Sequence, residues 1–129
     1  MNNDILSLND IKILVDEFYA RIRKDEILAD IFNDIIQDRW PEHLERMYTF
    51  WQTVLLDEHT YNGAPFMKHR NLPVTAEHFD RWLQLFFETV NDLYSGKVAD
   101  EAKMRAQKMA EMFHYKIEYA KAQNQNPLI

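Results

Sequence analysis

Residues 61–73 read YNGAPFMKHRNLP, and they carry the strongest structural signal of the chain. An Asn-Gly pair at 62–63 favours a turn. Pro65 suits the first turn of a helix, where its missing N–H leaves no intrahelical hydrogen bond unmade. Pro73 ends any helix just before it, because proline removes a donor and clashes with the preceding turn. The stretch therefore predicts a short helix that carries one imidazole, that of His69.

A histidine held on such a short and bounded helix suits a metal or cofactor ligand, because its ring is aimed at a fixed point. A single histidine is more often a surface residue or a hydrogen-bonded structural one. The stretch by itself leaves these interpretations of His69 open.

The composition is that of a globular chain with many aromatic side chains. Of the 129 residues 47% are apolar, 28% charged and 13% aromatic. Bulky aromatic side chains either fill a core or line a pocket for a flat ligand. The net charge of −6 argues against a nucleic-acid partner. The absence of cysteine excludes disulfides, thiolate metal sites and covalent haem attachment through a Cys-x-x-Cys-His motif.

The sequence offers neither an apolar run near the roughly 20 residues that cross a bilayer nor the basic flank of a signal peptide. We therefore expect a cytoplasmic protein that contacts no membrane. Its length favours one domain over residues 1–129, packed from about residue 8 to 121 and frayed at both termini.

The apolar spacing predicts an all-helical chain, in keeping with two glycines and four prolines. A first helix is expected to begin near Ser7 or Asn9, with a short element around residues 27–32. A long helix is expected from residue 40 or 41 to 56. The segment 33–39 is expected to be a mobile connection.

Two further helices are expected in the C-terminal half. Thr75 is the expected N-cap of the first, and Gly96 is expected to stop it. Asp100 is the expected cap of the last helix, and the tail 123–129 is expected to fray.

The sequence lacks the common catalytic motifs. Only Glu111 and His114 have the Glu-x-x-His spacing of a di-iron bundle, and no serine elbow or glycine-rich loop occurs.

Three residues on different helices form a set with polar tips. Tyr19 lies at the edge of the first apolar stripe, His43 shares a face with Met47, and Trp82 lies within an apolar face. Each alone is compatible with a core or half-exposed residue. Together they supply a wall of phenol, imidazole and indole that would face a ligand held by His69.

Because it carries these residues in this order, the chain resembles a truncated haemoglobin of the third group over roughly residues 11–119. The most specific match is the stretch 61–73. The other matching pieces, in chain order, are Phe18-Tyr19, Phe32-Asn33, Trp40 with His43 and Leu44, Phe50-Trp51, and Phe79 with Trp82 and Leu83. The resemblance implies a two-over-two helical sandwich that encloses non-covalently bound haem b.

The resemblance also implies roles for single residues. His69 matches the proximal histidine that binds iron, and Tyr19, His43 and Trp82 match the distal side. Phe32 matches the phenylalanine that wedges the haem. Lys68 and Arg70, on either side of His69, are candidate partners of the haem propionates. Helix face and position in the chain add seven further residues that are expected to line the pocket: Met47, Phe50, Trp51, Phe66, Leu72, Phe79 and Leu83.

The implied function is reversible binding of dioxygen and other diatomic ligands, including nitric oxide and carbon monoxide. Oxidation of nitric oxide or reaction with peroxide is a possible activity that would need an external reductase. A monomer is expected. The alternatives are a cofactor-free helical interaction domain and a haem-based gas sensor or haem carrier.

Overall fold

Five α-helices account for most of the chain in a computed structural model, which describes residues 2–61 and 73–125 and the side chains up to residue 122. They are α1 (Leu8–Ile22), α2 (Ala29–Ile36), α3 (Trp40–Leu56), α4 (Ala76–Leu93) and α5 (Lys97–Gln125), and these described ranges hold no strand. The predicted all-helical fold is confirmed. The short helix predicted between Pro65 and about Leu72 lies outside the described residues.

The helices pack as two stacked pairs. Helix α1 packs against α3, and α4 packs against α5; α1 also packs on α4, and α3 touches α5. This is the two-over-two arrangement that the resemblance implied. None of the described helices combines the length and apolarity needed to cross a membrane.

Helix α1 follows the sequence prediction closely. Ser7 is its N-cap and forms a capping box with Asp10, so two backbone N–H groups of the first turn are satisfied locally. The expected apolar stripe is buried: Ile11, Leu14, Val15, Phe18 and Ile22. Tyr19, expected at the edge of this stripe, is also buried.

Helix α2 occupies part of the segment expected to be a mobile connection, so that prediction was wrong. The helix continues to Ile36, and Gln37 then leaves it with a positive φ of 56°. The cause is packing, since the side chain of Ile36 is buried in the core. Burial of Ile36 favours helix up to that residue, although the polar residues around it suggested that the helix would end earlier.

The start of α5 also differs from the prediction. Asp100 lies in the first turn and not at the cap. The carboxylate of Asp4 accepts from the N–H groups of Val98 (2.9 Å) and Ala99 (2.8 Å) and caps the helix instead. No local signal marks this contact, because its partners lie more than ninety residues apart in sequence.

Gly96 has a different role from the expected stop of α4. Helix α4, whose predicted N-cap Thr75 is confirmed, ends at Leu93, and Gly96 immediately precedes α5 with φ +135°. A Cβ at Gly96 would lie 2.6 Å from the carboxyl carbon of Asp4. At the other end α5 runs to Gln125, into the tail 123–129 that the sequence predicted to fray; residues 126–129 lie outside the described part.

Candidate functional site

A cavity of about 630 Å³ lies among the helices. This volume falls in the range of roughly 300–1,000 Å³ that small-molecule and cofactor sites occupy. All five helices and the segments beside them contribute to its walls, and the lining is mainly apolar and aromatic. A wide apolar space of this kind would be costly to leave unfilled, since its lining atoms lose their packing partners.

Tyr19 brings a phenol to this cavity from α1. Its ring lies in near edge-on contact with Phe18 and His43, with centroids 5.0 Å away in each case. Burial raises the pKa of the Tyr19 phenol well above its ordinary value. The group therefore keeps its proton at physiological pH and remains a hydrogen-bond donor.

His43 comes to the same cavity from α3 and is half-buried. Its imidazole lies nearly perpendicular to the rings of Tyr19 and Trp40, with centroid distances of 5.0 and 5.7 Å. The backbone N–H of His43 donates to the carbonyl of Arg39 in the first turn of α3. These contacts place a titratable imidazole beside the phenol.

Trp82 lines the cavity from α4. Its indole stacks on Phe86 at 5.6 Å and meets Phe18 edge-on at 5.4 Å. Phe86 in turn stacks on Trp51 at 5.1 Å, so the three rings form one continuous stack. This packing restricts the indole, because each ring is fixed by the next.

The structure brings most of the sequence-predicted site residues to this cavity. Tyr19, His43 and Trp82 line it together with five of the expected pocket residues: Phe32, Met47, Phe50, Trp51 and Phe79. Leu83 is not among the lining residues and packs against the core instead. Other predicted positions lie outside the described residues: Phe66, Lys68, His69, Arg70 and Leu72.

One wall of the cavity comes from residues that the sequence did not single out as a site. Helix α5 contributes Met109, Ala110, Phe113 and Ile117. The four-residue spacing of 109, 113 and 117 indicated an apolar face, but core and cavity faces share that spacing. Side-chain size could have separated the cavity wall from the core, because the same face of α5 carries alanines nearer its start and larger residues at 109, 113 and 117.

Comparison with known proteins agrees with this architecture. A family model for the bacterial-like globins matches residues 4–117. A group 3 truncated haemoglobin of Campylobacter jejuni is 37% identical over 117 residues, covering 88% of this chain and 92% of that protein.

The chain belongs to the bacterial-like globin family.

The solved structures extend this result to the third group. A crystal structure of a group III truncated haemoglobin from Campylobacter jejuni has a TM-score of 0.82 and 36% sequence identity, covering 91% of this chain and 95% of that one. The resemblance to group III truncated haemoglobins is thereby confirmed. Family membership implies a haem globin.

The described residues of this globin fit such a group. Haem is a flat aromatic molecule with two carboxylates, and the cavity joins aromatic walls to two exposed arginines, Arg39 and Arg46. Within residues 2–61 and 73–125, no group of three or more His, Asp or Glu is placed to hold a bare metal ion. A haem iron makes no such demand, because the porphyrin supplies four of its ligands and the protein needs to supply only one.

Proposed function

We propose that this globin binds haem b without a covalent link and holds small diatomic ligands in the cavity beside Tyr19, His43 and Trp82. Haem, when bound, supplies an iron with an open coordination position. In this proposal His69 is the proximal ligand, and Phe32 and the other aromatic lining residues hold the porphyrin. The observation that carries the proposal is the cavity itself, which gathers residues of five helices around a protonated phenol.

Tyr19 and Trp82 are proposed to donate hydrogen bonds to a polarised diatomic ligand. Both groups lie in a mainly apolar cavity, where water competes poorly for them. Charge-assisted hydrogen bonds contribute about 1.5–3 kcal/mol each. His43 lies against Tyr19, and we propose that it controls access or orients the phenol.

Strong retention of dioxygen suits chemistry on the ligand more than its delivery. Oxidation of nitric oxide to nitrate, or reaction with peroxide, is therefore the proposed activity. An external reductase would supply the electrons for repeated turnover. Stopped-flow mixing of the oxygenated protein with nitric oxide, with nitrate measured as product, tests this activity; failure to form nitrate rapidly would exclude it.

Haem binding is tested first, by the absorption spectrum of the purified protein after haem is added. We expect a strong Soret band that shifts with carbon monoxide. A spectrum that shows only tryptophan and tyrosine absorption, after haem is added and unbound haem is removed, would favour the cofactor-free interaction domain.

His69→Gly tests the proximal ligand. We expect it to abolish normal ligation, and exogenous imidazole should partly restore the spectrum by occupying the vacated position. His59→Gly is the matched control, because the side chains of His59 and its partner Asp57 are 82% and 93% exposed. A wild-type spectrum in His69→Gly would contradict the assignment.

A further inference from the structure

A buried carboxylate lies next to the cavity without lining it. The side chain of Asp25, between α1 and α2, is only 4% exposed. One of its oxygens accepts from the guanidinium of Arg81 on α4, with Nε at 2.7 Å and a second nitrogen at 2.6 Å. The other accepts from the backbone N–H groups of Ile27 and Leu28, each at 3.1 Å.

These donors keep the pair charged. Burial alone would raise the pKa of Asp25, but the hydrogen bonds from Arg81 and from the two backbone N–H groups lower it overall. The same contact raises the pKa of Arg81. Because the guanidinium grips one oxygen with two nitrogens, its direction is fixed as well as its charge.

The pair anchors the helix that forms one wall of the cavity. Leu28, the N-cap of α2, supplies no side-chain cap. Asp25 instead binds the backbone N–H groups of Ile27 and Leu28, and so fixes the turn that leads into the helix. Helix α2 has little direct packing against the other described helices. Its hold on the molecule therefore depends strongly on this anchor and on the buried side chains beside it.

Each partner of the ion pair lies close in sequence to a residue that lines the cavity. Helix α2 carries Phe32, which lines the cavity, and Arg81 immediately precedes Trp82, which also lines it. The ion pair thus joins the wall that carries Phe32 to the wall that carries Trp82.

We propose that the Asp25–Arg81 ion pair is a positioning element that fixes the α2 wall against α4, and so controls haem retention and the direction of the Trp82 indole. This inference rests on the proposed haem-binding function. It predicts that breaking the pair changes the cavity even though neither residue touches the ligand.

The test compares Arg81→Met with Arg21→Met. Arg21 joins α1 to α4 through Asp92 at 2.9 Å, but the Asp92 side chain is 62% exposed, so this control removes the same charge from a surface pair far less shielded from water. Haem loss to excess apomyoglobin and the stretching frequency of bound carbon monoxide are measured in each holoprotein. For Arg81→Met we expect haem loss at least about tenfold faster, and a shifted or broadened stretching band.

Arg21→Met should stay within about twofold of the wild type in haem loss, with an unchanged band. Arg81→Lys keeps the charge without the two-pronged grip and should fall between the wild type and Arg81→Met. If Arg81→Met does not fold, Asp25→Asn replaces it, since it keeps the side-chain shape and one acceptor oxygen while removing the charge.

Wild-type haem loss in Arg81→Met, or equal effects of Arg81→Met and Arg21→Met, would overturn the inference. Faster haem loss with an unchanged stretching band would overturn the part that concerns Trp82. If the wild-type protein takes up no haem, the proposed function fails and this inference fails with it. A wild-type protein that binds haem beside an unaffected Arg81→Met variant removes the inference alone.

Discussion

The two ends of the helical sandwich use similar apolar patterns but reach different packing densities. At the closed end, where residues 2–7 and the start of α1 meet the α4–α5 corner, side chains such as Ile5, Ile11 and Val90 have no exposed surface. At the cavity end, expected pocket residues are only half-buried around about 630 Å³ of space: Phe32, Met47, Phe50, Phe79 and Trp82. One end is filled by its own side chains, and the other leaves the space in which the proposed ligand would bind.

Helix α5 shows how a single element serves both ends. Along its inward face Ala99, Ala102 and Ala106 are buried at the closed end. Phe113 and Ile117 follow at the cavity end and line the cavity. Small side chains let α5 approach its neighbours closely, whereas large ones hold it away. A change in side-chain size along one helical face therefore separates core from cavity.

The largest expected effect comes from truncating one apolar side chain at each end. Ile11→Ala removes a fully buried side chain from the closed end and should cost about 3 kcal/mol of unfolding free energy, since it leaves a void in dense packing. Met47→Ala should cost less than about 1 kcal/mol in the haem-free protein, because Met47 already borders a cavity. Urea unfolding of the two haem-free variants measures the difference. Equal costs would show that the cavity end is as densely packed as the closed end.

The second effect concerns ligand release at the cavity end. Tyr19→Phe combined with Trp82→Phe removes two proposed donors of about 1.5 kcal/mol each, so dioxygen should dissociate about a hundredfold faster. Flash photolysis or stopped-flow displacement by carbon monoxide measures this rate. Tyr94→Phe is the matched control, because its hydroxyl donates to the carbonyl of Asp10 at the closed end, at 2.8 Å. An unaltered rate in the double variant would show that the proposed donors do not reach the ligand.

Local signals were enough to predict much of the fold. Residues close together in sequence predict the N-caps Ser7 and Thr75 and the apolar stripe of α1, and the structure confirms all three. The residues Tyr19, His43 and Trp82, which the sequence grouped as one set, line the same cavity. Their roles toward haem remain predictions, as does that of His69.

Long-range polar contacts could not be predicted in the same way. The cap of α5 comes from Asp4, and the anchor of α2 pairs Asp25 with Arg81, fifty-six residues away. Acidic residues are common in this chain, and spacing does not reveal which one meets a distant helix end. The limits of α2 were misjudged for the same reason, since its anchor and its buried face depend on tertiary contacts.

A smaller effect is expected from Gly96→Ala at the closed end. The φ of +135° at Gly96 is one that residues with a Cβ rarely adopt, and the added methyl would press on the Asp4 carboxyl group. Strain of this kind costs about 2 kcal/mol. Thermal and urea unfolding should show the loss, while the haem spectrum stays unchanged. Lys97→Ala, one residue away and exposed, is the control; equal stability of both variants would remove the strain argument.

The smallest effect is the removal of charge at the α5 cap. Asp4→Asn weakens the hydrogen bonds to Val98 and Ala99 and should cost about 1 kcal/mol at pH 7, as loss of a helix cap usually does. Partial burial acts to raise the pKa of Asp4, but the backbone N–H groups it binds lower that pKa overall. The stabilisation from its charge is therefore present above the unfolded-state pKa near 3.8 and is lost as the pH falls through the lower folded-state pKa.

The difference in unfolding free energy between the wild type and Asp4→Asn should consequently narrow below about pH 4. Urea unfolding between about pH 3 and 7 measures it. Asp100→Asn is the matched control, because Asp100 lies exposed in the first turn of the same helix, where the sequence alone suggested the cap. Its substitution should change stability by only a few tenths of a kcal/mol, the weak effect of one exposed charge on the helix dipole. A larger loss of unfolding free energy from Asp100→Asn than from Asp4→Asn would show that Asp100 caps α5, as the local sequence suggested. The stability of the closed end would then depend less on the N-terminal segment that carries Asp4.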